Sequence, residues 1–291
     1  MSRSSKFTYR QYLAGFLRLI RLPNLLMLVL TQYLTRLLLV GPRGDWRQIL
    51  ADPRMLVLSL ATVCIAAAGY IINDYFDVKI DIVNKPERVV IGRYLKRRWA
   101  MGAHQFFNVA GVLLGLLVSK WIFLINVFSV TLLWFYSERF KRTTLVGNLV
   151  VSLLTALAVA VVAVVYPENR KLVFIYAVFS FSITLIREII KDMEDVRGDA
   201  STGCRTLPIV WGIRRTKIVV YILVAAFIST LYLMAHSLDN LMLAWLFTAL
   251  LLPIAWLVYR LVFADTRREF SRLSTLCKFI MLLGLATMLW A

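Results

Sequence analysis

The sequence predicts an all-α polytopic membrane protein: nine transmembrane helices, arranged as two pseudo-repeated four-helix units plus a ninth helix around a central cavity. Three observations predict it. Hydrophobic residues make up 60% of the 291-residue chain and the mean hydropathy is +0.74, above the roughly 45–50% apolar share of a soluble domain. The apolar residues gather in continuous runs near the ~17–25 residues that a spanning helix needs, without the alternation of a barrel wall. An eight-residue acidic pattern also occurs twice, 118 residues apart.

Taken in order, residues 1–21 carry five basic side chains and run directly into the first span. They read as a retained cytoplasmic arm and not as a cleaved signal. Spans follow at 22–40, 55–73, 101–119, 121–136, 145–166, 171–190, 217–236, 241–262 and 273–291, and the whole of 1–291 forms one transmembrane domain. The third and fourth are separated only by "SKW" around Lys120. The connections 1–21, 74–100, 137–144, 187–217 and 260–272 together hold 26 Lys and Arg, against 6 in the alternate connections. That asymmetry orients the chain in the cell membrane with the N-terminus and both long loops, 74–100 and 191–216, in the cytoplasm and the C-terminus outside. The formal net charge of +18 then follows from basic loops at an anionic leaflet, so no nucleic-acid partner is expected. Cys64, Cys204 and Cys277 lack metal-ligand spacing, and His104 and His236 stand far apart; no thiolate or histidine metal centre is expected.

The carboxylates carry the chemistry. "DYFDVKID" (74–81) and "DMEDVRGD" (192–199) both read Asp-x-x-Asp-Val-basic-x-Asp. Each follows the second helix of a four-helix block, which argues for a duplicated unit with parallel halves. Positions i, i+3 and i+7 share one helical stripe, so Asp74, Asp77 and Asp81, and Asp192, Asp195 and Asp199, form two columns at the membrane surface. If the halves pack pseudo-symmetrically the columns face one another. Six carboxylates brought together need cations to remain ionised. Oxygen-only donors suit Mg²⁺, which commonly shares one or two carboxylates with substrate phosphates, so a diphosphate is expected. Basic side chains able to clamp phosphate oxygens lie alongside: Lys79, Lys85, Arg88 and Arg93; Arg187, Lys191, Arg197 and Arg205; and Arg139, Lys141 and Arg142.

These residues resemble a known family. "NDYFDVKIDIVNKPER" is similar to the Asn-Asp-x-x-Asp-x-x-x-Asp signature of the UbiA superfamily of intramembrane prenyltransferases, and "DVRGD" to its second Asp-x-x-x-Asp signature. "RLPN" (21–24) resembles the Arg-x-x-Asn opening helix 1, "YSERFKR" (136–142) the end of helix 4, and "GN" (147–148) the start of helix 5. The run "REIIKDMEDVRGDASTGCRTLPIVWG" (187–212) most resembles the digeranylgeranylglyceryl phosphate synthase branch. One departure stands out: Val89, Val90 and Ile91 replace the proline and serine with which many members continue the first motif.

The resemblance implies a polyprenyl diphosphate held on Mg²⁺ by Asn73, Asp77, Asp81, Asp195 and Asp199, with Asp74 and Asp192 in support or ligating a shifted ion. It also implies an apolar tunnel for the tail and a lipophilic acceptor. Lys141 becomes a diphosphate contact, Asn148 a substrate contact with helix packing as its other reading, and Asn24 a diphosphate or acceptor contact. A prenylglyceryl phosphate acceptor would need a further cation, from Arg187, Lys191 or Arg21, and a base, Glu188 or Asp192. An aromatic quinone precursor is the alternative acceptor. A cation-coupled transporter is the reading from another class, and it is weakened because both columns lie at one membrane edge and not at the midplane.

Overall fold

The computed structural model describes residues 8–40, 46–84, 86–236 and 240–291; the side chains of Tyr9, Asn84 and Arg88 lie outside the described residues too. The helices are α1 (Tyr9–Leu19), α2 (Leu22–Leu34, continued as one π-helical turn Thr35–Leu39), α3 (Trp46–Ala51), α4 (Pro53–Asn84), α5 (Arg97–Val118), α6 (Lys120–Glu138), α7 (Val146–Val165), α8 (Arg170–Ser201), α9 (Leu207–His236), α10 (Leu241–Ala249), α11 (Leu251–Phe263) and α12 (Arg267–Thr287). Among the described residues no strand forms, and nine segments are long and apolar enough to cross a membrane. The chain is a multi-pass membrane protein.

The two motif-bearing helices differ most from the sequence expectation. α4 and α8 each run for 32 residues, about 48 Å at 1.5 Å per residue, well beyond a hydrocarbon core of roughly 30 Å. Residues 74–84 and 191–201, read as the openings of cytoplasmic loops, are therefore helical continuations of the spans. Hydropathy falls where the lipid ends, but backbone hydrogen bonding does not. Pro86 cannot carry α4 onward. α8 stops at a Schellman turn: Cys204 N donates to Asp199 O at 3.0 Å and Gly203 N to Ala200 O at 3.2 Å, with Gly203 at φ 75°, the left-handed region open to glycine.

Smaller differences have equally local causes. The arm contains α1, whose Thr8 and Gln11 form a capping box. The third and fourth spans are joined by Ser119 alone, whose Oγ accepts from Ile122 N at 3.2 Å. α9 starts ten residues before the apolar span and is broken at Gly212 (φ 79°, ψ 161°). The span 241–263 divides into α10 and α11 because Pro253 offers no N–H to the Ala249 carbonyl.

Two compact units emerge. The first joins the residues up to Leu30 with Pro53–Arg139, and the second joins Thr31–Asp52 with Phe140–Ala291, so the first span contributes to both. In the first, Leu19, Ile20, Leu25, Ala67, Ile71, Val90, Ile91 and Ala100 form a buried cluster, and Asn126 Nδ2 donates to Gly111 O at 3.0 Å between α6 and α5. In the second, Phe227, Phe247 and Phe270 are buried, Gln32 Nε2 donates to Ala158 O at 2.9 Å, and Tyr176 and Thr287 hydroxyls pair at 2.8 Å. Polar bonds of this kind between helices are a normal adhesive where water is absent.

Candidate active site

The first motif rides on the last turns of α4. Asn73 Nδ2 donates to Asp77 Oδ2 at 2.8 Å, four residues on and thus one turn along the same stripe. Asp77 is only 3% exposed. Asp74 accepts from Arg21 Nη2 at 3.0 Å. Arg21 forms the joint between α1 and α2 with φ 52°, a left-handed conformation that is strained for a residue with a Cβ. Its guanidinium lies 4.8 Å from the Tyr70 ring, and Tyr70 OH is 3.5 Å from Asn24 Nδ2. Burial opposes the Arg21 charge, but Asp74 and Tyr70 outweigh it and hold the guanidinium above its ordinary value.

So the structure gathers Asn73, Asp74 and Asp77 with Arg21, Asn24 and Tyr70. Asp81 is half-buried further along the stripe. Lys79 is exposed, roughly 200° around the helix from Asp77, and is not brought to this cluster. The Arg88 side chain and Lys85 lie outside the described residues.

The second motif follows the same plan on α8. Asp192 accepts from Asn148 Nδ2 at 2.8 Å. Asn148 sits at the start of α7 because Gly147 permits a close approach: a Cβ there would meet Phe140 O at 2.9 Å and Lys141 Cα at 3.0 Å. The same contact packs the connection bearing Lys141 against α7. That connection is clasped to the end of α8, with Arg205 N donating to Arg142 O at 2.8 Å and Thr144 Oγ1 to Arg205 O at 2.8 Å. Buried Cys204 feels Asp199, Arg142 and Lys141; burial dominates and pushes its thiol up. Asp199 is 7% exposed and Asp195 half-buried. One turn before Asp192, buried Glu188 pairs with both Arg187 and Lys191, the latter at 3.5 Å. Arg187 Nε is buried with no hydrogen-bond partner among the described residues.

Each motif's first aspartate is thus held from a neighbouring helix end, Asp74 by Arg21 and Asp192 by Asn148. Sequence reasoning assigned Asn148 to substrate and Arg21 to an acceptor phosphate; the structure shows protein partners for both. Tyr70 was missed, although its place four residues before Asp74 on one helical face is a legible signal. Among the described residues no three His, Cys, Asp or Glu side chains converge as a closed metal cage. The donor chemistry nevertheless fits Mg²⁺, which asks for one or two carboxylates and takes its remaining oxygens from phosphate and water.

Comparison with known proteins gives the kinship. The model of the UbiA prenyltransferase family matches residues 29–283. The digeranylgeranylglyceryl phosphate synthase of Methanothermobacter thermautotrophicus is 34% identical over 246 residues, covering 82% of this chain and 79% of that one. Its counterpart from Sulfurisphaera tokodaii is 33% identical over 193 residues, covering 65% and 68%. Among solved structures, a digeranylgeranylglyceryl phosphate synthase superposes with a TM-score of 0.73 at 23% identity over 96% of this chain and 98% of that one. A UbiA homologue from Archaeoglobus fulgidus bound to GPP and Mg²⁺ gives 0.64 at 16% identity over 94% and 99%. The structural likenesses speak for the fold and the sequence matches for descent: the chain belongs to the UbiA prenyltransferase family and is a membrane prenyltransferase.

Proposed function

We propose that the enzyme transfers a geranylgeranyl-length group from its diphosphate to the free hydroxyl of a prenylglyceryl phosphate, forming an ether lipid, with Mg²⁺ as cofactor. The observation that carries the acceptor assignment is the Arg187–Glu188–Lys191 group beside Asp192. Glu188 holds two cations one turn before Asp192 on α8, and Arg187 keeps a buried N–H without a described partner, a donor suited to a phosphate oxygen. The names of the relatives at 33–34% identity agree with a prenylglyceryl phosphate acceptor.

In this reading Asn73, Asp77, Asp81, Asp195 and Asp199 would hold Mg²⁺, while Asp74 is held by Arg21 and Asp192 by Asn148. Bound Mg²⁺ supplies neutralisation of the charge that grows on the departing diphosphate. Lys141 adds a positive charge for the same oxygens. Allylic cleavage leaves a carbon cation that water would capture, so the reacting end must be kept dry. The acceptor hydroxyl gives up its proton as the new C–O bond forms, and Glu188, at the head of the cation group, is the candidate base. The charge asymmetry of the connections supports a cytoplasmic N-terminus.

The test is purified enzyme with labelled geranylgeranyl diphosphate and a panel of acceptors, with products identified by mass spectrometry. The ether lipid phosphate is the expected product. Separately, Arg187→Ala and Lys191→Ala should raise the KM for that acceptor by about tenfold while leaving prenyl diphosphate binding in place. Prenylation of hydroxybenzoate or dihydroxynaphthoate, with none of prenylglyceryl phosphate, would replace this acceptor with an aromatic one.

A further inference from the structure

Beside the first aspartate motif, where Trp134 packs edge-on against Phe76, α5 and α6 border an open cavity of about 260 Å³ lined by His104, Gln105, Asn108, Thr131 and Trp134 together with apolar side chains. No charged side chain lines it. Its floor is a fixed polar pair. His104 Nδ1 lies 3.0 Å from the Ala68 carbonyl, which can only accept, so the proton sits on Nδ1. Nε2 is then an acceptor and takes Asn108 Nδ2 at 3.0 Å. His104 is 2% and Asn108 7% exposed, and that single bond leaves the second Asn108 Nδ2 hydrogen without an acceptor among the described residues. The Gln105 carboxamide and the Trp134 indole N–H make no hydrogen bond among the described residues.

The depth of these groups makes them informative. Gln105 is exposed, on a membrane-spanning helix. It lies seven residues, or about 10 Å, below Arg98, which marks the polar end of α5 and has no acidic partner among the described residues. An unsatisfied carboxamide at that level costs several kcal/mol in pure hydrocarbon, and polar groups in spans are by default functional. Arg98, Gly102 and Gln105 share one stripe, and a Cβ on Gly102 would meet nothing within 4 Å, so the surface between them is open. Beyond the cavity the same face continues with exposed Val109, Leu113 and Leu116. The order along the face is cation, gap, neutral hydrogen-bonding cavity, apolar track. A glycerol lipid has that order: phosphate, glycerol carbons, ether or ester oxygens, chains.

We propose that this face of α5 and α6 binds one phosphate-headed glycerol lipid of the adjoining leaflet, its phosphate on Arg98, its glycerol oxygens on Gln105 and Asn108, and its chains along Val109 to Leu116. The site shares no residue with the aspartate motifs or with the acceptor group assigned above. Its neutral lining selects the glycerol region and Arg98 the headgroup.

The test is titration of the full-length protein in detergent with a dialkylglycerol phosphate, counting lipids bound per chain by native mass spectrometry. Gln105→Leu and Gly102→Leu both place apolar side chains on a lipid-facing helix and should leave the fold intact, as a melting curve will check. Each should weaken one binding step by about three- to tenfold, the loss expected of a hydrogen bond. Arg98→Ala should weaken the same step for dialkylglycerol phosphate but not for neutral dialkylglycerol. Several results would overturn the site: unchanged titrations in the variants, equally tight binding of a dialkyl phosphate lacking glycerol, or equal competition by inorganic phosphate. A wild-type dimer that the variants render monomeric would also overturn it, in favour of a second copy of this chain on the same face.

Discussion

Asp77 and Asp195 hold the same rank in the two motifs, and the roles proposed for them give the sharpest test at the scale of single residues. Asp77→Ala and Asp195→Ala should each lower turnover by about two orders of magnitude or more without lowering the melting temperature, because removing one member of a carboxylate group relieves repulsion in the metal-free protein. Arg21 makes a different prediction, since it combines a left-handed backbone with an ion pair to Asp74. Arg21→Gly loses the pair but not the conformation; Arg21→Ala loses the pair and retains the strain. Both should lose activity alike, while the alanine variant should be about 1 kcal/mol less stable in denaturant melts. Equal stabilities would show that φ at this position is not held positive. The aspartates were legible because their spacing is local. Their partners were not, since Arg21 lies 53 residues from Asp74 and Asn148 44 from Asp192, and no periodicity reports on contacts of that range.

Among the elements, apolar runs located all nine spans, yet they misjudged where α4, α8 and α9 begin or end. A hydropathy window registers the solvent around a helix. It does not register the hydrogen bonds that extend the helix past the lipid, nor the Schellman turn that closes α8. Gly203 is the residue on which that turn depends. Gly203→Ala should destabilise the end of α8 by about 1 kcal/mol. Cys204, 3% exposed in the intact turn and with its thiol pushed up by burial, should then be alkylated faster than in the parent protein, with Cys277 as the unchanged internal reference. An unaltered Cys204 rate would mean that the turn forms without glycine.

For the molecule as a whole, composition and the apolar runs settled membrane class and helix number. They could not show that the first span is shared between two compact units, because that division depends on tertiary packing. The proposed cofactor role predicts a whole-protein response: excess chelator should abolish turnover while circular dichroism and gel filtration remain unchanged, and restored Mg²⁺ should recover it. Mg²⁺ with a non-hydrolysable prenyl diphosphate should raise the melting temperature, by about 2.7 kcal/mol of added stability at 100 times the dissociation constant. Either ligand alone should give a much smaller shift. Turnover that survives exhaustive chelation would refute the proposed role of the two motifs.

The short helix α1 and the bend after it are tied to the first motif and to the turn that follows it. Arg18 Nη1 donates to the Glu87 carbonyl at 3.3 Å, and Arg21, at the next bend, neutralises Asp74. The segment from α1 to Arg21 is therefore a strap buckled onto the proposed site, and losing Arg21 should act as an active-site lesion. Truncation that removes residues 1–21 would leave a membrane bundle that still inserts and melts cooperatively but whose Asp74 has lost its counter-charge. Affinity tags and fusion partners for this enzyme accordingly belong at the far end of the chain, beyond α12.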